Sequence, residues 1–260
     1  GVLAAGWLQE KIMEIGADRV AAFFVEPIQG AGGAKIPPKN YFVEVQKICT
    51  ENDVLLVVDE VICGFGRTGN WFASETFGIE KIDLMCLAKG ITSAYTPLSA
   101  LMVSDRIANT FIEKGGEFFH GFTYSGHPVS CAVALENIRI MEDEGMVKQV
   151  GEDTGPYFAD QLATLADHEI VAEVRSCGLL AGIELVRDKE TLEPISEDMD
   201  ECDEICEVFR DFCLNHGIIT RPIHSTVMLT PPLIISRAEI DFLVKKLRLA
   251  LDDFANFLKQ

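Results

Sequence analysis

The sequence is poor in basic residues: its 260 residues include 22 Lys and Arg against 41 Asp and Glu, a formal net charge of −19. Such an acidic surface repels phosphate backbones and anionic lipid headgroups. No apolar run reaches the ~20 residues that a membrane-spanning helix needs. The run at residues 20–25, for example, is followed at once by Glu26 and Pro27. These absences predict a protein that binds neither nucleic acid nor membranes.

The sequence also lacks the patterns of export and of metal binding. No basic region followed by an apolar segment and a small-residue cleavage site opens the chain, so no secretion signal is predicted. The eight cysteines are scattered through apolar segments without a CxxC motif. Cys202 and Cys206 are spaced by one helix turn, with no histidine nearby. We therefore expect reduced thiols, no metal site and a cytoplasmic protein.

The first half of the sequence alternates between two hydrophobic periods. Amphipathic segments predict helices, whereas continuous apolar runs predict buried strands. The helical segments lie at residues 7–15, 41–49 and 129–141, and the apolar runs at residues 20–25, 54–58, 84–88 and 98–103. Strands that are apolar on both faces and alternate with helices predict a three-layer α/β/α fold with a mostly parallel sheet.

From about residue 155 onward the pattern changes, which predicts a second, smaller α/β domain. Short strands are expected at residues 170–174, 179–185, 218–221 and 226–229, and helices at residues 200–215 and 237–258. Gly1 leads almost directly into a helix, with neither an initiator methionine nor a first strand. We therefore expect the chain to be a fragment of something longer.

Polar side chains stand where three of the predicted strands end: Glu26, Asp59 and Lys89. In open α/β sheets the ligand crevice lies beyond the carboxyl ends of the strands. Lys89 follows the run 84–88 directly and precedes Gly90, which predicts partly apolar surroundings. Desolvation there disfavours the ammonium form and suits an amine that acts as a nucleophile. Taken alone, Asp59 would be interpreted as a strand-end or capping carboxylate and Lys89 as a solvated surface lysine. An acid and a lysine that both lie at strand carboxyl ends form a combination that neither residue makes alone.

A glycine motif offers a different function. Gly64, Gly66 and Gly69 match GxGxxG after a predicted strand, which is the pattern of a dinucleotide-binding unit. However, Asp59 and Glu60 stand between strand and glycines, where they would repel a pyrophosphate, and no acid ends a strand ~20 residues later. A glycine-rich turn is favoured, and an NAD-dependent oxidoreductase stays a remote alternative.

Three segments of the sequence resemble one known family. They are residues 58–69 (VDEVICGFGRTG), 88–90 (AKG) and 121–128 (GFTYSGHP). Together they closely resemble the class III aminotransferases, which are pyridoxal-phosphate (PLP) enzymes of fold type I. The resemblance covers essentially the whole chain. It implies that residues 1–154 are the C-terminal part of the PLP-binding large domain and residues 155–260 the small C-terminal domain.

The resemblance assigns roles to particular residues. Lys89 is similar to the lysine that forms a Schiff base with PLP, and Asp59 to the aspartate that pairs with the pyridine nitrogen. Val61 is similar to the residue packed against the ring. Thr123 is similar to a hydroxyl that reaches the PLP phosphate of the neighbouring subunit, which implies a homodimer with shared active sites. Without the family, a loop hydroxyl in a turn would be the preferred interpretation of Thr123.

The same resemblance implies a substrate class. Arg221 looks like the arginine that grips the carboxylate of the amino acceptor, a task suited to its planar fork; a surface arginine is the alternative. Where 4-aminobutyrate and ornithine aminotransferases carry a glutamate and a glutamine, this chain has Ala31 and Ile62. These departures favour the branch that moves an amino group from an ω-amino acid or amine to pyruvate or another 2-oxo acid.

Two further alternatives stay open. A racemase, aminomutase or decarboxylase of the same superfamily would use Lys89 and Asp59 as well, so these residues do not decide the reaction. The family also has an earlier half that carries the first strands and the helix N-terminus holding the phosphate, and this sequence does not contain it. The second alternative is therefore an inactive or incomplete fragment.

Overall fold

The computed structural model describes residues 1–259, which form two compact units. The first unit contains Gly1–Pro27, Pro37–Phe65 and Asn70–Gly145. The second contains Ile28–Ile36, Gly66–Gly69 and the chain from Met146 onward. The second unit is thus assembled from two short early segments and one long late one, and its long segment begins before the predicted start of the small domain at residue 155.

The first unit alternates helices with short strands. Its helices are α1 (Val2–Ile15), α2 (Tyr41–Glu51), α3 (Ala73–Phe77), α4 (Asp105–Glu113) and α5 (Pro128–Asp143), with 3-10 turns at Ala17–Arg19 and Lys89–Ile91. Its strands are β1 (Ala22–Val25), β2 (Leu55–Asp59), β3 (Leu84–Leu87) and β4 (Ala100–Val103). The sheet has the order β1-β2-β3-β4; β1, β2 and β3 are parallel, and β4 is antiparallel to β3.

The core of the first unit fixes strand β2. Leu56 and Val58, which alternate along β2 and therefore share one face of the sheet, are fully buried in a cluster with Ile12 of α1 and Val45 of α2. Burial of each such side chain stabilises the fold by about 1.5–3 kcal/mol. This packing determines where Asp59, the last residue of β2, emerges from the sheet.

The second unit is a helical layer packed on an antiparallel sheet. Its helices are α6 (Met146–Gln149), α7 (Gly155–Ala163), α8 (Met199–Asn215) and α9 (Arg237–Leu258), with a π-helical turn at Val150–Thr154 and a 3-10 turn at Thr164–Asp167. Its strands are β5 (Val171–Cys177), β6 (Leu180–Asp188), β7 (Glu193–Pro194), β8 (Arg221–Ile223) and β9 (Thr226–Leu229), in the order β5-β6-β9-β8 with β7 beside β6. Phe158, Phe209 and Phe254 are fully buried between the helices and this sheet.

One predicted strand is displaced. The apolar residues Ile218 and Ile219 predicted a strand at residues 218–221, but the strand is β8, which starts at Arg221. Ile219 is 90% exposed. The prediction was wrong because a tight hairpin sets the register: Ile223 pairs with Thr226 across a turn in which His224 has φ 50°. Turn geometry outweighs the local apolar pattern here.

No helix over residues 1–259 is long and apolar enough to cross a membrane. All eight cysteines are free thiols in the described structure. Burial raises the pKa of several of them, that of Cys49 and Cys177 to about 11 and that of Cys213 to about 12. A thiol with a raised pKa is a poor nucleophile at neutral pH.

Candidate active site

Parallel pairing of β2 with β3 brings two of the predicted residues to one edge of the sheet. Asp59 pairs with Cys86 of β3, and Lys89 follows β3 in the adjoining 3-10 turn. Both therefore lie at the carboxyl ends of neighbouring parallel strands, the place where α/β sheets bind ligands.

Asp59 offers one carboxylate oxygen to a ligand. Its side chain is half-buried, and Oδ1 accepts a hydrogen bond from the Val61 backbone N–H at 2.9 Å. The described residues leave Oδ2 without a hydrogen-bond partner. Burial, and after it the Asp59 charge, raises the pKa of the Cys86 thiol. The hydrogen bond from the Val61 N–H thus fixes the Asp59 carboxylate within the turn that follows β2. The Val61 side chain is half-buried.

Lys89 offers an unengaged amine. Its Nζ has neither a hydrogen-bond partner nor an ion-pair partner among residues 1–259. The side chain is exposed, whereas its position predicted partly apolar surroundings. The difference arises because Lys89 lies beyond Leu87, the last residue of β3, in a turn where no described side chain covers it. The backbone of Lys89 is left-handed, with φ 44°.

Glu60 is a buried acid whose role the sequence did not reveal. Its side chain has no exposed surface, and its two carboxylate oxygens accept the backbone N–H groups of Ala73, at 3.0 Å, and of Ser74, at 2.6 Å. Burial outweighs these hydrogen bonds and raises the pKa of Glu60. Its own N–H donates to the Cys86 carbonyl at 3.0 Å. Glu60 therefore joins the end of β2 to β3 and to the start of α3. In the sequence, only its position after a predicted strand and before a short helix could have indicated this role.

These contacts also bear on the dinucleotide alternative. The N–H groups that open α3 are occupied by Glu60, so they are not available to a pyrophosphate. Gly64 donates to the Glu60 carbonyl at 2.8 Å, and a Cβ at Gly64 would lie 2.9 Å from that oxygen. This glycine is required by a close turn, which is the structural interpretation that the sequence favoured.

The remaining predicted residues lie elsewhere. Thr123 is exposed in the loop between α4 and α5, where the N–H of Phe122 donates to Ser125 Oγ at 2.9 Å. Arg221 belongs to the second unit; it is exposed at the start of β8 and has no ion-pair partner among the described residues. The structure thus brings Asp59, Val61 and Lys89 to the same edge of the sheet, and no hydrogen bond or ion pair among residues 1–259 links Thr123 to them.

This edge of the sheet is suited to particular chemistry. An amine without a partner can condense with an aldehyde, and a neighbouring carboxylate with a free oxygen can hold a cationic ring nitrogen. Within residues 1–259 there is no group of three or more His, Cys, Asp or Glu side chains that could hold a metal ion.

Comparisons with known proteins agree on one family. The model of the family Aminotransferase class-III matches residues 6–251. A putrescine–pyruvate aminotransferase of Pseudomonas aeruginosa is 45% identical over 98% of this chain and 54% of its own length. Gamma aminobutyrate transaminase 3 of Solanum lycopersicum is 40% identical over 97% of this chain and 48% of its own length. The chain spans about half the length of the curated relatives it matches.

Solved structures give the same answer for the fold. The ω-transaminase of Pseudomonas jessenii, solved in complex with PMP, superposes with a TM-score of 0.89 and 39% sequence identity. The match covers 98% of this chain and 56% of that one. The α/β fold class expected from the sequence is thereby confirmed, including the mixed, mostly parallel sheet and the likeness to fold type I transaminases.

Proposed function

Since the chain belongs to the class III aminotransferases, we propose that it moves an amino group from an ω-amino acid or amine to pyruvate or another 2-oxo acid, with PLP as cofactor. The observation that carries this proposal is the pairing at one sheet edge of an unengaged amine, Lys89, with a carboxylate that has a free oxygen, Asp59. The residues present fit PLP, because that cofactor needs both an amine for its aldehyde and an anion for its pyridine nitrogen.

PLP, when bound, supplies an electrophilic carbon and a ring that accepts electrons from the substrate. Lys89 Nζ would hold the cofactor by its aldehyde and, when released, would serve as the general base that moves a proton from the substrate carbon. The Asp59 carboxylate keeps the ring nitrogen protonated through its free oxygen. The Val61 side chain would lie against the cofactor, and the Val61 backbone N–H, which donates to Asp59 Oδ1, fixes the direction of the carboxylate.

The proposal extends to acceptor and subunit arrangement. Arg221, exposed and without an ion-pair partner in the described chain, binds the carboxylate of the 2-oxo acid as a bidentate pair. Thr123 reaches the cofactor phosphate of a second copy, so the active protein is a homodimer with shared sites. Residues 1–154 act as the C-terminal part of the cofactor-binding domain and residues 155–260 as the small domain.

The substrate class is supported from two sides. Ala31 stands where 4-aminobutyrate and ornithine aminotransferases have a glutamate that offsets the carboxylate-binding arginine. The putrescine–pyruvate aminotransferase named above acts, by its name, on putrescine and pyruvate. Putrescine is an amine whose reacting group lies on a terminal carbon. Formation of alanine from pyruvate and a labelled amine distinguishes transamination from decarboxylation, racemisation and aminomutation.

Replacement of Lys89 tests the assignment directly. The 260-residue chain is incubated with PLP, reduced with borohydride and digested, and the modified peptide is identified by mass spectrometry. We expect the label on the tripeptide at residues 88–90, and its loss in Lys89→Ala together with the visible absorbance of the bound cofactor. Transaminase activity, where present, should fall by at least about 10³-fold, because the nucleophile and the base are one group.

The matched control is Lys114→Ala, which removes an exposed lysine of the same unit just after α4. It should be labelled at Lys89 like the unsubstituted chain. Label on another lysine, or a visible band that survives in Lys89→Ala, contradicts the assignment. A chain that stays colourless and unlabelled supports the inactive fragment instead.

A further inference from the structure

The turn that carries Lys89 has an unfavourable backbone. A left-handed conformation is rare for a residue with a side chain and persists only where surrounding contacts hold it. Lys89 has φ 44°, and two residues just beyond it, Ser93 and Ala94, also have positive φ values. The local sequence does not impose this geometry, since only Gly90 among the neighbours is free of a Cβ. Contacts from another element must stabilise the turn.

Asn137 of α5 supplies those contacts. Its Nδ2 donates to the carbonyl oxygens of Gly90, at 2.9 Å, and Ile91, at 3.2 Å. Its Oδ1 accepts the Ser93 hydroxyl at 2.7 Å. The Asn137 side chain therefore binds the backbone carbonyls of the two residues that follow Lys89, and the hydroxyl of Ser93. Asparagine is a poor residue for a helix interior, so its presence in the middle of α5 is explained by this tertiary role.

We propose that Asn137 is a positioning residue for Lys89: by holding the 89–93 turn it directs the Lys89 amine toward the edge of the sheet where Asp59 ends β2. This inference rests on the proposed function of Lys89. The direction of the Cα–Cβ bond of Lys89 follows from its φ and ψ, and a change to a relaxed conformation would redirect the whole side chain. A displacement of about 1 Å at a reacting group can reduce a rate by ~10²-fold.

The experiment replaces Asn137 by leucine, which has a similar shape, favours the helix and removes both donors without adding charge. The control is Asn52→Leu in the same unit. Asn52 Nδ2 also donates two hydrogen bonds, to Gln9 Oε1 at 2.9 Å and to the Ile48 carbonyl at 2.8 Å. Asn52 lies at the end of α2, and these bonds do not hold the Lys89 turn. Both variants thus lose two donated hydrogen bonds, and Asn137→Leu loses in addition the bond accepted from Ser93.

Two readouts are needed, and the first requires no cofactor. Amide hydrogen exchange over residues 90–93 should be at least tenfold faster in Asn137→Leu than in the unsubstituted chain, and unchanged in Asn52→Leu. In the second readout, PLP trapping by borohydride at Lys89 should fall about tenfold in Asn137→Leu relative to trapping at Lys81 and Lys114 in the same sample. Asn52→Leu should keep the trapping of the unsubstituted chain, which separates positioning from a general loss of stability.

The outcomes are distinct. Unchanged exchange in Asn137→Leu overturns the inference, because the turn then does not depend on Asn137. Faster exchange with undiminished trapping at Lys89 also overturns it, since the contacts would be structural only. If the unsubstituted chain itself is never trapped at Lys89, the proposed function fails, and the positioning role fails with it. Faster exchange together with selective loss of trapping supports the inference.

Discussion

Gly90, the residue after Lys89, lies where no side chain fits. A Cβ built on it would be 2.8 Å from the Cβ of Phe65, which is itself buried and cannot move aside by a simple side-chain rotation. The close approach of these two backbones holds the Lys89 turn against the segment that follows Asp59. Individual atoms therefore set the spacing between the two groups that are proposed to hold the cofactor.

Gly90→Ala should displace the turn and loosen the site. We expect a loss of about 1–3 kcal/mol in the free energy of unfolding, the usual cost of overpacking, measured by urea denaturation. Trapping of PLP at Lys89 should fall as well. The control is Gly116→Ala, because a Cβ at Gly116 meets nothing within 4 Å. If Gly90→Ala is as stable as the unsubstituted chain, Phe65 moves aside to accommodate the added methyl group, and the prediction is wrong.

At the same scale, the sequence pointed to the two residues proposed to hold the cofactor more readily than to the residues that support them. Asp59 and Lys89 could be proposed from the sequence because each directly follows an apolar run. Glu60 and Asn137 could not, since their partners lie 13 or more residues away along the chain. Such contacts depend on which strands and helices become neighbours. Only the positions of Glu60, after a strand, and of Asn137, inside a helix, marked them as unusual.

Among the elements, β6 shows how a charged residue is built into a sheet. Glu184 of β6 accepts hydrogen bonds from Arg175 Nη2 at 2.9 Å, from Thr226 Oγ1 at 2.7 Å and from Ser225. Burial by itself would raise the pKa of Glu184, but these hydrogen bonds and the Arg175 charge outweigh it and lower that pKa. The carboxylate thus joins β5, β6 and β9.

This lowered pKa gives a pH dependence with a definite sign. A carboxyl group whose pKa is lower in the folded state adds stability above its unfolded pKa, about 4.3, and that stability is lost as the pH falls through the folded value. Glu184→Gln should lower the free energy of unfolding by about 1–3 kcal/mol at neutral pH, because glutamine lacks the charge that pairs with Arg175 and one of the two acceptor oxygens that Arg175, Ser225 and Thr226 use.

The measurement is urea denaturation of the chain at several pH values from neutral to well below the unfolded pKa of about 4.3, because the stabilisation is lost only in that lower range. The difference between the unsubstituted chain and Glu184→Gln should shrink as the pH falls. Glu193→Gln, an exposed glutamate of β7, serves as the control and should leave stability and its pH dependence unchanged. A difference that grows toward acid would reverse the sign derived for Glu184.

The elements also show where sequence reasoning succeeds. Helix α9 was predicted at residues 237–258 and is found at Arg237–Leu258, because a strong apolar period begins directly after a capping box formed by Ser236 and Glu239. Strands β2 and β3 were predicted from uninterrupted apolar runs. Helix α4 was not predicted, although its apolar residues Ile107 and Phe111 recur at helical spacing; it is only nine residues long and carries no buried residue.

At the scale of the whole molecule, the most prominent feature is the excess of acidic over basic residues. A net charge of −19 places the folded chain under self-repulsion. Ion pairs on its surface, such as Arg139 with Glu136 and Arg237 with Asp153, are exposed, and solvent and salt screen such pairs so that they add little to stability. Repulsion summed over the surface should therefore exceed the attraction of these pairs.

Salt should stabilise the chain as a result. When the NaCl concentration rises from ~10 to ~100 mM, the Debye length falls from about 30 to about 10 Å. The added salt therefore screens the repulsion between distant acidic groups more than the attraction within ion pairs in direct contact. We expect the free energy of unfolding in urea, an uncharged denaturant, to rise over this interval. The same titration with sucrose in place of salt is the control for excluded solutes. A fall in stability would mean that the ion pairs outweigh the net charge.

The interrupted course of the second unit has a practical consequence for anyone who wishes to study that part by itself. Arg175 donates to the carbonyl oxygens of Gly33 and Ala34, and Arg67 donates to those of Leu179 and Pro231. A truncation that starts at Met146 would remove both early segments. Arg175 would then lose two of its carbonyl acceptors, and the carbonyls of Leu179 and Pro231 would lose their donor. A self-sufficient version needs residues 28–36 and 66–69 grafted back through designed loops.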